Sequence, residues 1–196
     1  MLYLTKLTQE LYSKLYQDIT EFRTTFGLPV DTPLHTEEDD KLHTSLIVEE
    51  MTELAQADSK VEQADAIVDS VYVLMGRVVH AYTCTDKVDE SFMHAVSVTS
   101  QIEVLLHVAD NLGIDFLACW DNIHASNMSK ACNNEAEFED TRAHYAALGI
   151  KVVSEEVNGK LVVKCAEDFV SDEKTVLKGK VLKSVFYTPA NLEPLM

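Results

Sequence analysis

Apolar residues recur every three or four positions along most of the chain before residue 148, a spacing that is typical of amphipathic α-helices. This pattern predicts six helices, over residues 8–26, from about 42, 61–81, 89–112, 115–129 and 135–148. A loop is expected between the first two, because that stretch holds Pro29, Pro33 and a run of acids. The short connection at Asp58-Ser59 predicts that the second and third helices form an antiparallel hairpin.

The pattern changes after residue 148, where apolar and polar positions alternate. The stretch IKVVSEEVNGKLVVKC is rich in β-branched residues and carries Asn158-Gly159 between its two halves. This dipeptide is a strong signal for a two-residue hairpin turn. We therefore expect a mainly α fold in a single domain, residues 1–196. A helical bundle with a metal site (1–148) would precede a β-hairpin and basic tail (149–196).

Two of the predicted helices carry closely spaced acids. These are Glu49-Glu50-x-x-Glu53 and Glu62-x-x-Asp65-x-x-x-Asp69. Residues three and four apart share one face of a helix, so each motif gathers its carboxylates into a cluster. Two negative charges about 5 Å apart repel by roughly 3 kcal/mol at an effective dielectric near 20. A divalent cation with oxygen ligands would relieve that repulsion, which predicts a site for Mg²⁺, with Mn²⁺ as a substitute.

Two alternatives compete with a metal site. A glutamate-rich stretch is often only a solvated helix face, because glutamate is a good helix former. Asp65 and Asp69 fit that explanation less well, since aspartate is a poor helix former and these two lie among Val, Ala, Ile and Tyr. A di-iron bundle needs two Glu-x-x-His elements, whereas the nearest match is Asp121-x-x-His124.

The overall charge limits the classes of partner. With 33 acidic and 16 basic residues the formal charge is −17, which argues against direct nucleic-acid binding through a broad basic surface. The cysteines (Cys84, Cys119, Cys132 and Cys165) form no C-x-x-C pair, so we expect reduced thiols. With no long apolar span or signal-peptide pattern, a cytoplasmic protein without membrane contact is expected.

Two polar stretches after residue 123 carry further candidate binding residues. His124–Lys130 gathers an amide, hydroxyls and an ammonium group, although a polar helix end with one lysine is also commonplace. Lys178, Lys180 and Lys183 form a dense basic patch. Lysines of this kind also protect strand edges from aggregation, so the patch alone does not establish a binding site.

Taken together, the motifs resemble the all-α nucleoside triphosphate pyrophosphohydrolase superfamily, which includes MazG-like proteins, dimeric dUTPases and phosphoribosyl-ATP pyrophosphohydrolases. The match is carried by both acidic motifs with Tyr72 and Gly76, by Ser126-Asn127-Met128-Ser129-Lys130, and by Gly179-Lys180-Val181-Leu182-Lys183-Ser184 with Pro189 beyond. One departure is the gap of only eight residues between Glu53 and Glu62, which is shorter than is usual in MazG proper.

The resemblance implies hydrolysis of a (deoxy)nucleoside triphosphate at the α–β bond, for house-cleaning or control of the nucleotide pool. It implies Glu50, Glu53, Glu62 and Asp65 as metal ligands, Asp69 in the same metal site, and Glu49 as the catalytic base or an additional ligand. It also implies substrate contacts from Asn127, Lys130, Lys180 and Lys183. Tyr72 would either flank the nucleotide or pack in the core.

The resemblance further implies a homodimer. Two alternatives stay open: a phosphoribosyl-ATP pyrophosphohydrolase of histidine biosynthesis, and a non-catalytic metal-binding helical module. No motif identifies the preferred base or sugar, because a few pocket contacts decide that preference.

Overall fold

The computed structural model describes residues 4–32, 36–81, 88–171 and 175–196, with the backbone alone for 88–97. In these ranges helices come first and short antiparallel strands follow, which confirms the mainly α fold with a C-terminal β-hairpin. The helices are α1 (Gln9–Thr25), α2 (Glu37–Gln56), α3 (Lys60–Ala81), α4 (Val88–Asn111), α5 (Phe116–Met128) and α6 (Glu135–Ala147). The strands are β1 (Val152–Val157), β2 (Lys160–Cys165), β3 (Phe169–Val170) and β4 (Thr175–Val176), and a 3₁₀ turn covers Glu193–Leu195.

The chain divides into two compact units. The helical unit comprises Met1–Arg23, Pro29–Ile123 and Asn191–Met196, and the C-terminal unit comprises Thr24–Leu28 and His124–Ala190. The boundary predicted at residue 148 falls inside the C-terminal unit, because α6 packs against β1 and β2. That the whole chain forms one domain stays a prediction.

Helix α2 begins five residues earlier than the predicted start near residue 42, so the expected loop is shorter. The reason is a capping box at Thr36. The Thr36 hydroxyl accepts the backbone N–H of Asp39 (3.2 Å), and the Asp39 carboxylate accepts the backbone N–H of Thr36 (2.9 Å). The acids assigned to the loop are therefore the first helical turn, where negative charge complements the helix dipole. The predicted loop residue Pro33 lies outside the described residues.

Helix α3 is the most deeply buried helix among those whose side chains are described throughout. Its Tyr72 ring packs against Phe22 of α1 (5.3 Å between ring centroids) and Trp120 of α5 (5.2 Å). The fully buried Trp120 donates its indole N–H to Asp18 (2.7 Å), which also accepts from Lys14 (2.8 Å). Helix α3 thus packs against both α1 and α5 in the helical unit.

Helices α2 and α3 form the predicted antiparallel hairpin. Near the start of α2 and the end of α3, Arg77 donates to Asp40 (2.7 Å), and the buried His43 and His80 rings are joined by a 2.9 Å hydrogen bond. Only His43 of α2 is buried in the single chain. The pairing places the C-terminal end of α2 beside the N-terminal end of α3, where the two acidic motifs lie.

The C-terminal unit contains the predicted hairpin. Strands β1 and β2 pair antiparallel from Val152↔Cys165 to Val157↔Lys160. Asn158 (φ 52°) and Gly159 (φ 77°) both take the left-handed conformation that a two-residue type I′ turn requires. The apolar core beneath combines residues of α6, β2, β4 and the segments between elements, namely Cys132, Phe138, Ile150, Val163, Cys165, Val176 and Leu182.

The described cysteines are buried free thiols, as expected for reduced cysteines: Cys119, Cys132 and Cys165. The fourth, Cys84, lies outside the described residues. None of the helices in the described ranges combines the length and the apolar character that crossing a membrane requires.

Candidate functional site

Four carboxylates from α2 and α3 interact electrostatically, and we call Glu49, Glu50, Glu53 and Asp65 the carboxylate cluster. Glu50 is half-buried, whereas the other three reach solvent. Burial, followed by the charges of Glu53, Glu49 and Asp65, raises the pKa of Glu50 to about 7. Carboxylates influence one another's pKa in this way only over short distances. The shift therefore indicates that the hairpin brings the two acidic motifs together.

Asp65 shows the same effect from the other helix. Its pKa is raised, first because the surrounding protein removes part of its hydration and second because the Glu53 carboxylate is near. Ionisation of Glu50 and of Asp65 is therefore disfavoured, first by burial and then by the neighbouring carboxylates. A bound cation would reduce this repulsion between the carboxylates.

Glu62 has a structural role that the sequence analysis did not identify. Its Oε2 atom accepts the backbone N–H groups of Asp58 (2.8 Å) and Ser59 (3.1 Å), while the Ser59 hydroxyl accepts the backbone N–H of Glu62 (3.2 Å). The hydrogen bond from Asp58, followed by that from Ser59, lowers the pKa of Glu62. Ser59-x-x-Glu62 is the sequence signature of a capping box, so this role was readable from the sequence.

Asp69 and Tyr72 continue the face of α3 that carries Asp65. Asp69 is half-buried one turn beyond Asp65. Tyr72 is only 8% exposed, and its ring packs between Phe22 and Trp120. The structure thus gives Tyr72 the position expected of its core-packing alternative.

The carboxylate cluster is not a preformed coordination shell. Within the described ranges, no group of three or more His, Cys, Asp or Glu side chains is arranged compactly enough to hold a metal ion. The donor set nevertheless fits a hard divalent cation, since the cluster supplies only oxygen ligands and its negative charges repel. Residues of the cluster could therefore close around such an ion through changes of side-chain rotamer.

The substrate-binding residues predicted near the end of the chain belong to the C-terminal unit. Lys130 donates its ammonium to the Asn127 side-chain oxygen (2.7 Å), and the backbone carbonyl of Lys130 accepts the N–H of Ser184 (2.9 Å). The structure thereby brings Asn127, Lys130 and the segment of Lys183 together. Lys180 has an exposed side chain.

Tyr187 is a residue of this region that the sequence analysis missed. The Lys183 ammonium lies 4.3 Å from the centre of the Tyr187 ring, and the Ser126 hydroxyl donates to the Tyr187 hydroxyl (3.3 Å). The available signal was an aromatic residue within a lysine-rich segment, since lysine and arginine stack on such rings.

Comparisons with known proteins support the resemblance. Residues 19–92 match the phosphoribosyl-ATP pyrophosphohydrolase family, part of the MazG-like all-α NTP pyrophosphatase superfamily, and this segment contains both acidic motifs. The uncharacterized protein L479 of Acanthamoeba polyphaga mimivirus is 26% identical to this chain over an alignment of 255 residues. The alignment covers 98% of this chain and 100% of the relative. No solved structure matches the chain.

Proposed function

We propose that this chain, whose residues 19–92 match the phosphoribosyl-ATP pyrophosphohydrolase family, is a pyrophosphohydrolase of nucleoside triphosphates. It would hydrolyse the α–β phosphoanhydride to yield a nucleoside monophosphate and pyrophosphate. The bond that breaks would join the bridging oxygen either to the α-phosphorus or to the β-phosphorus. The carboxylate cluster carries the proposal. It lies within the matched segment, and burial together with the charges of Glu53, Glu49 and Asp65 raises the pKa of Glu50 to about 7.

Glu50, Glu53 and Asp65 are the residues that would hold Mg²⁺, with Mn²⁺ as a substitute. When bound, the cation would neutralise phosphate oxygens and favour attack of water on phosphorus. Glu62 and Asp69 would complete the site from α3, Glu62 through Oε1, because its cap uses only Oε2. Binding would also favour the ionised form of Glu50, so protons would leave the protein as the cation binds.

Glu49 is the proposed general base. It is an exposed member of the carboxylate cluster, so water can reach its carboxylate. A general base must lie within hydrogen-bond reach of the water that it deprotonates, and the carboxylates of Glu50 and Glu53 on the same helix would orient that water through hydrogen bonds. Glu49 would then carry the proton away from the attacking oxygen.

Asn127, Lys130, Lys180 and Lys183 are the proposed contacts to the phosphates or the nucleotide. Their amide and ammonium groups donate hydrogen bonds, and phosphate oxygens accept them. In a chain of net charge −17, these lysines supply positive charge for an anionic substrate. We place the enzyme in the cytoplasm, where free thiols stay reduced, with no direct nucleic-acid binding.

The experiment that tests the proposal is pyrophosphate release from a panel of ribo- and deoxynucleoside triphosphates, with Mg²⁺, with Mn²⁺ and with EDTA. Cation-dependent release of pyrophosphate with the matching monophosphate is expected for at least one triphosphate. Phosphoribosyl-ATP belongs on the panel because residues 19–92 match the phosphoribosyl-ATP pyrophosphohydrolase family. Turnover of that compound alone would favour the histidine-biosynthesis alternative. Orthophosphate release would overturn the proposed α–β cleavage, and no turnover would overturn the proposal in favour of a non-catalytic module.

A further inference from the structure

The tail segment that carries Lys183 is fixed within the C-terminal unit by hydrogen bonds at this residue and after it. Ser184 donates its backbone N–H to the Lys130 carbonyl (2.9 Å), and Thr188 donates its N–H to the Ser129 hydroxyl (3.0 Å). The Tyr145 hydroxyl donates to the carbonyl of Lys183 itself (2.9 Å). The backbone position of Lys183 is therefore set independently of its side chain.

The side chain of Lys183 is held by a ring instead of by a carboxylate. Its ammonium lies over Tyr187 at 4.3 Å, and the described residues place no carboxylate within ion-pair distance of it. Two lysines of the same unit differ, since Lys151 pairs with Glu167 and Lys164 with Glu155. In a chain with 33 acids, an ammonium held without an acid keeps its charge available for an incoming anion.

The Tyr187 ring is itself oriented. Its hydroxyl accepts a hydrogen bond from Ser126, which is only 7% exposed and belongs to the same Ser-Asn-Met-Ser-Lys motif as Asn127 and Lys130. Tyr187 thereby links the two polar stretches of the C-terminal unit, one through its hydroxyl and the other through its ring face.

We propose that Tyr187 is a positioning residue that restricts the Lys183 ammonium in advance for binding a phosphate group. This inference rests on the proposed function and names a determinant of substrate affinity within it. A flexible lysine loses rotamer entropy when it binds a phosphate, and a ring that restricts the side chain in advance lowers that cost. Unlike a carboxylate, the ring does not neutralise the ammonium, so the phosphate need not displace a competing anion.

Two substitutions of Tyr187 separate the ring face from the hydroxyl. Tyr187→Leu removes the ring, and we expect KM for the triphosphate substrate to rise about two- to fivefold, the size of an exposed cation–π contact. The kcat value should stay within about twofold, because a positioning residue for binding does not touch the reacting atoms. Tyr187→Phe keeps the ring face and should restore most of the affinity.

Tyr145→Phe is the matched control. It removes a tyrosine hydroxyl that contacts Lys183 through the backbone carbonyl and not through the ammonium. KM of this variant is expected to equal that of the wild type. A KM raised as much as in Tyr187→Leu would show that general loosening of the tail explains the effect, and would overturn the proposal.

A double-mutant cycle tests whether Tyr187 acts through Lys183. In a Lys183→Met background, Tyr187→Leu should cause no further loss of affinity, because the group that it positions is already absent. Fully additive losses would overturn the proposal. So would a Tyr187→Phe variant that is weakened as much as Tyr187→Leu.

The same cycle is measured by calorimetry with inorganic triphosphate in the presence of Mg²⁺. If the wild type turns over nothing on the nucleotide panel, the proposed function fails, while the binding cycle still decides the role of Tyr187. A two- to fivefold loss confined to backgrounds that retain Lys183 supports the proposal. Equal affinities in all variants, or no triphosphate binding by the wild type, overturn it.

Discussion

At the scale of single residues, Glu50 shows which part of the site the sequence could predict. The spacing of the acids was sufficient to group them on two helices. The pKa of about 7 was not predictable, because it depends first on burial, then on the charges of Glu53 and Glu49, and last on Asp65 from a second helix. Burial of one side chain depends on how the hairpin packs, which helical periodicity does not describe.

Glu103 behaves in the opposite way, and it was not identified from the sequence at all. Burial opposes its ionisation, but its carboxylate accepts backbone N–H groups from Leu7, Thr5 and Lys6, which lower its pKa to about 2. These amides precede α1 and would otherwise lack partners within a helix. Glu103 therefore ties the N-terminal segment to α4.

Glu103→Gln is expected to destabilise the protein by about 2 kcal/mol at pH 7, because the hydrogen bonds to a charged acceptor are lost. The folded pKa lies below the usual value of 4.5. The stabilisation is thus fully present above pH 4.5 and is lost as the pH falls toward 2. In urea unfolding, the free energy of unfolding should fall less between pH 7 and pH 3 for the variant than for the wild type. Identical pH slopes would refute the assignment.

At the scale of secondary-structure elements, two capping boxes set the starts of α2 and α3. Thr36 with Asp39 was overlooked because the acids were assigned to a loop, and aspartate is less typical than glutamate at the third helical position. The capping box of Ser59 with Glu62 was not predicted, because the resemblance implies that Glu62 is a metal ligand. The interiors of both helices were nevertheless predicted correctly from their apolar periodicity.

Substitutions at Ser59 and Glu62 separate the cap from metal binding. Ser59→Ala removes one hydrogen bond of the cap and should cost about 1 kcal/mol of stability, with kcat unchanged below the melting transition. Glu62→Gln should lose cation-dependent turnover, because an amide is a much weaker ligand than a carboxylate. Thermal melting and steady-state kinetics on both variants measure this. Equal losses of turnover would mean that Glu62 acts only through the cap.

The strands illustrate the limit of pattern-based prediction. Asn158-Gly159 specified its hairpin because both residues must take positive φ, and few residue types do so readily. Strands β3 and β4 have two residues each, which is too short for any alternation to be recognised. Their pairing depends on the core formed with α6, and so on tertiary contacts.

At the scale of the whole molecule, the family match covers only residues 19–92. That segment holds the acidic motifs and α3, whereas Asn127, Lys130 and the basic tail lie beyond it. The roles of these later residues consequently depend on the motifs themselves and on the contacts within the C-terminal unit. This is why variants there are needed to establish their part in function.

The exposed apolar surface of α2 leads to a prediction of oligomeric state. Leu42 and Val48 are 57% and 58% exposed, and only His43 of this helix is buried. An amphipathic helix with so little buried surface gains stability from a further partner. We therefore propose a homodimer, and sedimentation equilibrium should give twice the chain mass of 21.9 kDa. A mass equal to that of one chain at micromolar concentration would contradict the proposal.

The measurement that tests the central claim most directly is Mg²⁺-dependent pyrophosphate release by the wild type, Glu53→Gln and Glu38→Gln in one assay. Both substitutions remove one negative charge from an exposed position of α2, but only Glu53 belongs to the carboxylate cluster. The wild type and Glu38→Gln should release pyrophosphate at similar rates, and Glu53→Gln should lose at least about 100-fold. Turnover by Glu53→Gln at the wild-type rate would contradict the claim that these carboxylates form the catalytic centre.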